Sequence, residues 1–515
     1  MNGADALVKT LLASGVDTCF ANPGTSEMHF VAALDSHPDM RCVLCLFEGG
    51  ASGAAEGYFR MKRDVAATMF HLAPGFGNAY ANLHNARKGG SGILNVMGDH
   101  AKRHMAYDSP LKGDTDGIAA SVSHWVRRCD DSSTVGADTA AGIRAARAEG
   151  GQIATLILPA DSAWEDGAAP DTAPAPRARR TADPSAIAAA AELLTRPGAV
   201  LFVSAAAAIE PGLSQAARIA AKTGARLMVP LFLPRLSKGA GRPICEQLPY
   251  PVEMAGEVLK DTRHIVLLGA TRPVNFFAYP GKPSTPEPPG CEIFQLCTTE
   301  MDVTGTLESL LQVTGAAQSE PPRHALDLPD LPTGPLTLTG VGQALAHLLP
   351  EDSIVGNESV TAGAELLPPL QTARPHELLI TTGGAIGGGL PLVVGAAVAC
   401  PDRQVISLTG DGSAMYTPQS LWTMAREKLN ILVIVVANRG YQILRGEMAA
   451  LGVEDYGRNA QAMFDIETPE LDWVALAKGH GVPGERVSET NEDAVAAIRR
   501  GLAQNGPYLI EIAVG

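Results

Sequence analysis

The sequence reads QVISLTGDGS over residues 404–413 and ILVIVVAN over residues 431–438. Both stretches begin as continuous aliphatic, β-branched runs, and such runs predict buried strands of a parallel sheet. The residues between the two runs predict the crossover helix that neighbouring parallel strands require. Asp411 and Asn438 then lie together at the carboxyl ends of adjacent strands, where open α/β sheets bind their ligands.

The polar residues after the two strands predict a site for a metal ion and a diphosphate. The Asp411 carboxylate, the Asn438 carboxamide and nearby backbone carbonyls are hard oxygen donors, which suit a Mg²⁺ that holds a diphosphate. Gly412 and Ser413 open a helix whose free amides can face phosphate oxygens. An ordinary strand-turn-helix with a capping aspartate is the alternative, and the asparagine after the second strand favours the binding site.

The composition predicts a cytoplasmic protein of about three domains. At 515 residues the chain has room for three domains of ~150 residues each. Its net charge of −15 argues against partners such as nucleic acids and anionic membrane surfaces. No run approaches the ~18 apolar residues of a membrane span, and the first residues lack the pattern of a signal peptide. Cys42 and Cys45 have the spacing of a redox or zinc motif, but their apolar surroundings predict buried, reduced thiols.

Two stretches rich in proline and small residues, 165–183 and 315–335, predict linkers. They divide the chain into blocks at residues 1–165, 184–314 and 336–515. Every block alternates short aliphatic runs with alanine-rich helical stretches, which predicts an α/β fold of three doubly wound parallel-sheet domains. No Gly-x-Gly-x-x-Gly follows a strand of the middle block, so no motif there supports a bound dinucleotide.

Four short motifs extend the pattern of the last block to the whole chain: NPGT at 22–25, FEG at 47–49, HLAPG at 71–75 and NES at 357–359. With them the chain resembles the thiamine diphosphate (ThDP)-dependent 2-oxo-acid decarboxylases and carboligases. It is similar to benzoylformate decarboxylase in the order and spacing of its motifs, and to the acetolactate synthase large subunit in architecture. The resemblance implies a pyrimidine-binding domain, a central Rossmann-like domain and a diphosphate-binding domain, with ThDP and Mg²⁺ as cofactors.

The resemblance also implies roles for individual residues. It makes Glu48 the acid that hydrogen-bonds the aminopyrimidine ring of ThDP and so activates the cofactor, whereas alone Glu48 could be a helix-start anion. Ile386 corresponds to the apolar wedge that folds the cofactor, and Gly384 supplies a pyrimidine-binding carbonyl. The other cofactor-lining residues implied are Thr361, Gly412, Ser413, Tyr416 and Tyr441, and the metal ligands implied are Asp411, Asn438 and the Gly440 carbonyl.

Substrate residues follow from the same comparison. His71 falls on a histidine that handles protons near the reacting carbon, and Thr25 matches a hydroxyl that binds the substrate carboxylate. Phe276 stands where benzoylformate decarboxylase has a second histidine, and Leu444 where pyruvate decarboxylases have a glutamate. Because these replacements remove acids, we expect carboligation of the decarboxylated donor to a second carbonyl compound. Ile443 is expected to narrow the pocket and to favour short aliphatic 2-oxo acids.

Three alternatives remain open from the sequence. One is a simple 2-oxo-acid decarboxylase of the benzoylformate decarboxylase type, which releases an aldehyde. A second is a true acetolactate synthase with FAD and a regulatory subunit, although the chain has no recognisable flavin motif. The third is a ThDP-binding relative that has lost catalysis. Since the two halves of the cofactor site meet across subunits in this family, the resemblance implies a homodimer or a homotetramer.

Overall fold

The computed structural model describes residues 1–453 and 455–514, which form three sheets covered by helices. The first is a six-stranded parallel sheet in the order β2-β1-β3-β4-β6-β5. Its strands are β1 (Thr18–Ala21), β2 (Arg41–Leu44), β3 (Ala66–Phe70), β4 (Ile93–Asp99), β5 (Trp125–Arg128) and β6 (Ile153–Pro159). The helices of this unit are α1 (Gly3–Ala13), α2 (Met28–Asp35), α3 (Glu48–Lys62), α4 (Leu72–Lys88), α5 (Thr115–Val122), α6 (Val135–Ala146) and α7 (Ala160–Trp164).

The second sheet has five parallel strands in the order β10-β8-β7-β11-β12. The strands of this part of the chain are β7 (Ala199–Val203), β8 (Arg226–Val229), β9 (Arg235–Lys238), β10 (Glu246–Gln247), β11 (His264–Leu268) and β12 (Glu292–Cys297). The helices are α8 (Pro184–Leu194), α9 (Gly212–Thr223), α10 (Val252–Leu259) and α11 (Val303–Val313).

The third sheet has seven strands in the order β17-β18-β16-β15-β13-β14-β9. Its strands from the last block are β13 (Ser353–Glu358), β14 (His376–Ile380), β15 (Val405–Gly410), β16 (Ile431–Ala437), β17 (Gly484–Val487) and β18 (Tyr508–Ala513). The helices are α12 (Leu338–Leu348), α13 (Gly363–Leu366), α14 (Gly389–Ala399), α15 (Asp411–Ala414), α16 (Gln419–Glu427), α17 (Gln442–Ala450), α18 (Arg458–Phe464), α19 (Trp473–Gly479) and α20 (Asn491–Leu502).

The predicted α/β class with parallel-sheet domains is confirmed, with one difference. Strand β9 belongs to the middle block, yet it pairs antiparallel with β14 and closes one edge of the third sheet. A four-residue strand without alternating polarity gives no sequence signal, and its pairing partner lies far along the chain. Because β9 lies in the middle block of the sequence but belongs to the third sheet, the sheets do not follow the blocks strictly. The domain boundaries at residues 165, 184, 314 and 336 stay predictions.

Each sheet and the helices that cover it form one unit, numbered like the sheets. Helices α3 and α14 bring the first and third units into backbone contact. A Cβ on Gly395 would lie 1.8 Å from the Ala54 carbonyl oxygen, and a Cβ on Gly57 would lie 1.9 Å from that of Leu392. Only glycine allows two helices to approach this closely, because any side chain at these positions would collide with backbone. The contact fixes the helix that begins at Glu48 against the helix that follows the glycine-rich loop 383–388.

The cysteine prediction is correct for one residue of the pair and wrong for the other. Cys45 is buried, whereas Cys42 is exposed, because it lies on β2, the edge strand of the first sheet. All eight cysteines are free thiols in the structure. Among the residues described, no helix combines the length and the apolar character that a membrane crossing demands.

Candidate active site

The carboxyl ends of β15 and β16 bring the predicted metal ligands together. These strands are parallel neighbours, so Asp411 and the turn at 438–440 lie side by side. The buried Asp411 carboxylate accepts hydrogen bonds from the backbone amides of Gly412 and Arg439, both at 2.8 Å. Burial raises the pKa of Asp411, while these amides oppose the rise. Asn438 Oδ1 accepts from the Gly440 amide at 3.2 Å.

This donor set fits a magnesium ion. A carboxylate, a carboxamide and a backbone carbonyl are oxygen ligands of the kind that Mg²⁺ prefers, with phosphate oxygens completing the coordination. A buried carboxylate that remains ionised favours a nearby cation. Asp411, Asn438 and the Gly440 carbonyl would therefore suit a divalent cation.

Two of the predicted cofactor-lining residues, Gly412 and Tyr441, contact each other. The Tyr441 ring lies against Gly412, where an added Cβ would be 2.5 Å from a ring carbon. Burial raises the pKa of Tyr441, and the nearby Tyr416 and Asp411 raise it further. Ser413 is buried in α15, whereas Tyr416 is exposed. Thr361 is exposed on a single turn, Val360–Ala362, that contacts α17.

The sequence analysis includes Glu358 in a motif but gives no role to it, and the structure shows that it holds the glycine-rich loop in place. Its carboxylate accepts hydrogen bonds from the Gly387 and Gly388 amides at 3.0 Å and from the Gly389 amide at 3.1 Å. Burial raises the pKa of Glu358 to about 7, and the three amides oppose that rise. The half-buried Ile386 lies within the loop that this carboxylate anchors. The signal was an acidic residue ending an apolar strand, Ser353–Glu358.

Phe276 reaches this loop from the middle unit. Gly384 has φ of +77°, and a Cβ added there would lie 2.6 Å from the Phe276 ring. Only glycine combines this backbone conformation with such a close aromatic contact. Phe276 also packs against Phe232 and Tyr250, with ring centroids 5.4 and 5.6 Å apart. The structure thus brings Phe276 beside Gly384.

Helix α17 carries the predicted pocket residues Ile443 and Leu444 and is joined to the middle unit through Glu447. The Glu447 carboxylate accepts hydrogen bonds from the Tyr250 hydroxyl at 3.0 Å and from the Tyr279 hydroxyl at 2.7 Å. Burial raises the pKa of both tyrosines, and the Glu447 charge raises it further, so both hydroxyls remain donors at neutral pH. No residue of α17 is buried, so these two bonds are a main restraint on the helix.

We expect the double variant Tyr250→Phe/Tyr279→Phe to loosen α17. It removes both donors to Glu447, and each hydrogen bond to a charged group is worth about 1.5–3 kcal/mol. Hydrogen exchange of the amides of residues 442–450 should then become about tenfold faster or more. Tyr80→Phe is the matched control, because the exposed Tyr80 hydroxyl makes no hydrogen bond among the described residues. Unchanged exchange in the double variant would show that packing alone holds the helix.

Glu48 lies at the first position of α3 and is buried. Its Oε2 accepts a hydrogen bond from the Asn78 side chain at 3.0 Å. Its Oε1 faces Gly75, where an added Cβ would be only 3.2 Å away. A carboxylate at a helix start is favoured by the helix dipole. The described contacts leave Oε1 available to a ligand that needs a carboxylate partner.

His71 is held by Glu27, a second residue to which the sequence analysis gives no role. His71 Nδ1 lies 2.8 Å from Glu27 Oε2 and 3.1 Å from the Ser26 hydroxyl. Because a carboxylate can only accept, Nδ1 carries the proton, which leaves Nε2 free for proton transfer. Gly98 allows this arrangement, since a Cβ there would lie 1.9 Å from Glu27 Oε1. Thr25 is exposed at the start of the same turn, Thr25–Glu27.

Helix α4 connects these amino-terminal site residues, Thr25, Glu48 and His71, to the glycine-rich loop. Asn82 donates to the Gly49 carbonyl at 2.7 Å, and Asn85 donates to the Ala385 carbonyl at 2.8 Å. The Ala385 amide in turn donates to Asn85 Oδ1 at 3.2 Å. Within 1–453 and 455–514, however, no hydrogen bond joins the amino-terminal site residues directly to Ile386, Asp411 or Asn438. We call these two groups of residues the amino-terminal and carboxyl-terminal half-sites.

Comparison with known proteins gives a consistent result over the full length. The thiamine pyrophosphate enzyme family matches twice, its N-terminal TPP binding domain over residues 1–120 and its C-terminal TPP binding domain over residues 360–512. A Mycobacterium tuberculosis protein, provisionally named acetolactate synthase large subunit, is 47% identical over 100% of this chain and 99% of its own length. Benzoylformate decarboxylase of Pseudomonas aeruginosa is 28% identical over 97% of this chain and 96% of its own.

A solved structure supports the fold. The Rhodococcus jostii thiamine diphosphate-dependent 4-hydroxybenzoylformate decarboxylase superposes with a TM-score of 0.84 at 24% sequence identity. The match covers 100% of this chain and 99% of the other. At this identity the likeness shows that the two chains share a fold, and it does not indicate the substrate of this chain.

Proposed function

Because the chain belongs to the thiamine pyrophosphate enzyme family, we propose that it is a Mg²⁺-dependent decarboxylase of a 2-oxo acid that joins the decarboxylated donor to a second carbonyl compound. The observation that carries the carboligase half of this proposal is the Phe276 ring against Gly384. A phenyl ring has no proton to donate, so it excludes water without quenching a carbon nucleophile.

The cofactor would span the two half-sites. Asp411, Asn438 and the Gly440 carbonyl would hold the metal and through it the diphosphate, while Ile386 and Gly384 would support the ring system. Glu48, with Oε1 open beside Gly75, would face the aminopyrimidine. When bound, ThDP supplies a carbon nucleophile that adds to the 2-oxo group and takes up the electrons released with CO₂.

The proton chemistry around the substrate is sparse. His71 offers Nε2, since Nδ1 is bonded to Glu27, and it can orient a substrate carboxylate or transfer a proton. Leu444 and Phe276 supply no acid, and Glu447 accepts from two tyrosine hydroxyls. With His71 as the principal acid, a second carbonyl compound competes well with protonation.

A simple decarboxylase that releases an aldehyde is the second candidate. His71 favours it, because a histidine with a free Nε2 could protonate the reacting carbon. The 28% identity to benzoylformate decarboxylase also supports a simple decarboxylase. A non-catalytic role is the least supported, since Glu48, Asp411 and Asn438 are all present.

The two candidates predict different products from pyruvate. With Phe276 and Leu444 in place of acids, incubation with pyruvate, ThDP and Mg²⁺ should give acetolactate or acetoin in preference to free acetaldehyde. Benzoylformate should be the poorer substrate, because the half-buried Ile443 narrows the pocket. Product analysis by chromatography with CO₂ release measured in parallel distinguishes these outcomes.

The variant Ile443→Ala tests whether the Ile443 side chain narrows the substrate pocket. The substitution removes three methyl or methylene carbons from the pocket. The ratio of kcat/KM for benzoylformate to kcat/KM for pyruvate should rise by a factor that corresponds to about 1–3 kcal/mol of transition-state binding. Fast conversion of aromatic acids to simple aldehydes by the parent enzyme would contradict both the role of Ile443 and the carboligase proposal.

We further propose a homodimer or homotetramer in the cytoplasm. Among the described residues, the amino-terminal site residues make no hydrogen bond to Ile386, Asp411 or Asn438, which would allow a second copy of the chain to complete each site. Analytical ultracentrifugation with and without cofactors measures this directly.

A further inference from the structure

We propose that a separate site between the first unit, the linker and the middle unit binds a phosphate-sized oxyanion. The site is a cavity of about 60 Å³ that opens towards a cleft of about 610 Å³. Phe59, Arg63, Gly150 and Arg179 line both spaces. A single water needs about 10–15 Å³ of such space, so the cavity has room for the several atoms of a tetrahedral oxyanion.

The charge in the cavity favours an anion. Arg60, Arg63, Arg179 and Arg235 line it, against one carboxylate, Glu149. Arg60 is paired with Glu56, and Arg235 is paired with Glu377 at 2.8 Å. In the part of the chain that the structure describes, Arg63 and Arg179 form no ion pair.

The unpaired guanidinium groups repel one another. Partial burial of the Arg63 guanidinium lowers its pKa, and the charges of Arg235 and Arg179 lower it further. Arg179 makes a single weak bond, from Nη1 to the Met301 carbonyl at 3.3 Å, and this nitrogen lies 3.1 Å from where a Gly150 Cβ would be. An anion between these groups would replace repulsion with charge-assisted hydrogen bonds.

Two buried polar atoms on the wall of the cavity lack a partner. Arg60 donates to the Pro234 and Ile380 carbonyls at 3.0 and 2.6 Å and to Thr382 at 2.9 Å. Among the described residues, its Nε makes no hydrogen bond, and neither does the hydroxyl of Ser91, which is 1% exposed. A buried donor without a partner is costly, and an oxyanion satisfies such donors together with the two arginines.

The expected ligand carries a phosphate group, and the open cleft beside the cavity allows two kinds of ligand. Free inorganic phosphate would occupy the cavity alone. A phosphate monoester would place its phosphate in the cavity and its organic part in the cleft beside Pro176 and Arg179. The site shares no residue with the proposed ThDP site, so its occupancy is independent of that proposal.

Calorimetry on the protein saturated with ThDP and Mg²⁺ tests the site, because the diphosphate pocket is then unavailable to phosphate. Inorganic phosphate and ribose 5-phosphate are titrated at constant ionic strength set with chloride. We expect Arg63→Gln and Arg179→Gln each to weaken phosphate binding about tenfold or more, as loss of a charged hydrogen bond predicts. Arg177→Gln, in the same linker but outside the cavity, should leave binding unchanged.

The outcomes are separable. Tighter binding of ribose 5-phosphate than of phosphate, lost in the Arg63 and Arg179 variants, identifies a monoester as the ligand. Equal or stronger binding of free phosphate, lost in the same variants, identifies the inorganic ion. Binding that is absent in the parent protein, or that survives both substitutions, overturns the proposal. Since Arg63 and Arg179 form no ion pair among the described residues, circular dichroism should show folded variants.

Discussion

Asp411→Ala is expected to abolish tight binding of ThDP. The Asp411 carboxylate is buried at the end of β15 and faces the Asn438–Gly440 turn, so its loss removes the anionic metal ligand. Without the metal, the diphosphate would meet no compensating charge. Breaking a buried charged contact costs about 3–5 kcal/mol, which corresponds to an affinity lower by about 10²-fold to several thousandfold. Calorimetry after dialysis against a chelator, with Mg²⁺ added back, measures the change.

Asp402→Asn is the matched control, since Asp402 is an exposed carboxylate in the turn before β15. Asp411→Asn provides a milder variant that keeps one oxygen and the size of the side chain. It should bind ThDP with intermediate affinity and require more Mg²⁺. Parent-like affinity in Asp411→Ala would remove Asp411 from the metal site and leave it as the cap of α15.

The strands that form this site could be predicted because their signal is local. The aliphatic runs at 405–409 and 431–437 form β15 and β16 almost to the residue, and parallel pairing then brings Asp411 beside Asn438. Buried strands of this kind need only continuous apolar character, which a single sequence displays.

The contacts that organise the site could not be predicted, because they join distant segments. Glu358 acts through the amides of a loop that begins about 30 residues later, and Glu27 through a histidine 44 residues away. The hydrogen bonds from the Tyr250 and Tyr279 hydroxyls to Glu447 join the middle unit to the third unit. In each case the residue type allowed the contact, but no local pattern specified the partner. Cys42 was misjudged for a related reason, since edge position is a property of the whole sheet.

Glu48→Gln is expected to keep the fold and to bind ThDP, yet to slow activation of the cofactor. The amide has the size of the carboxylate and can still contact Asn78, which donates to Glu48 Oε2 at 3.0 Å. It cannot supply the proton that a carboxyl group shares with the aminopyrimidine. General acid–base catalysis of this kind is worth about 10²- to 10⁴-fold, so exchange of the thiazolium C2 proton should slow by that factor.

Proton NMR after rapid dilution into deuterium oxide measures this exchange on the bound cofactor without any turnover of substrate. Glu308→Gln, an exposed change of the same type on α11, should exchange like the parent protein. The readout also separates Glu48 from Asp411, because Glu48→Gln should slow exchange at full ThDP occupancy, whereas Asp411→Ala should lower the occupancy itself. If Glu48→Gln exchanged as fast as the parent at equal occupancy, the carboxylate would serve only the start of α3, where the helix dipole and Asn78 suffice to hold it.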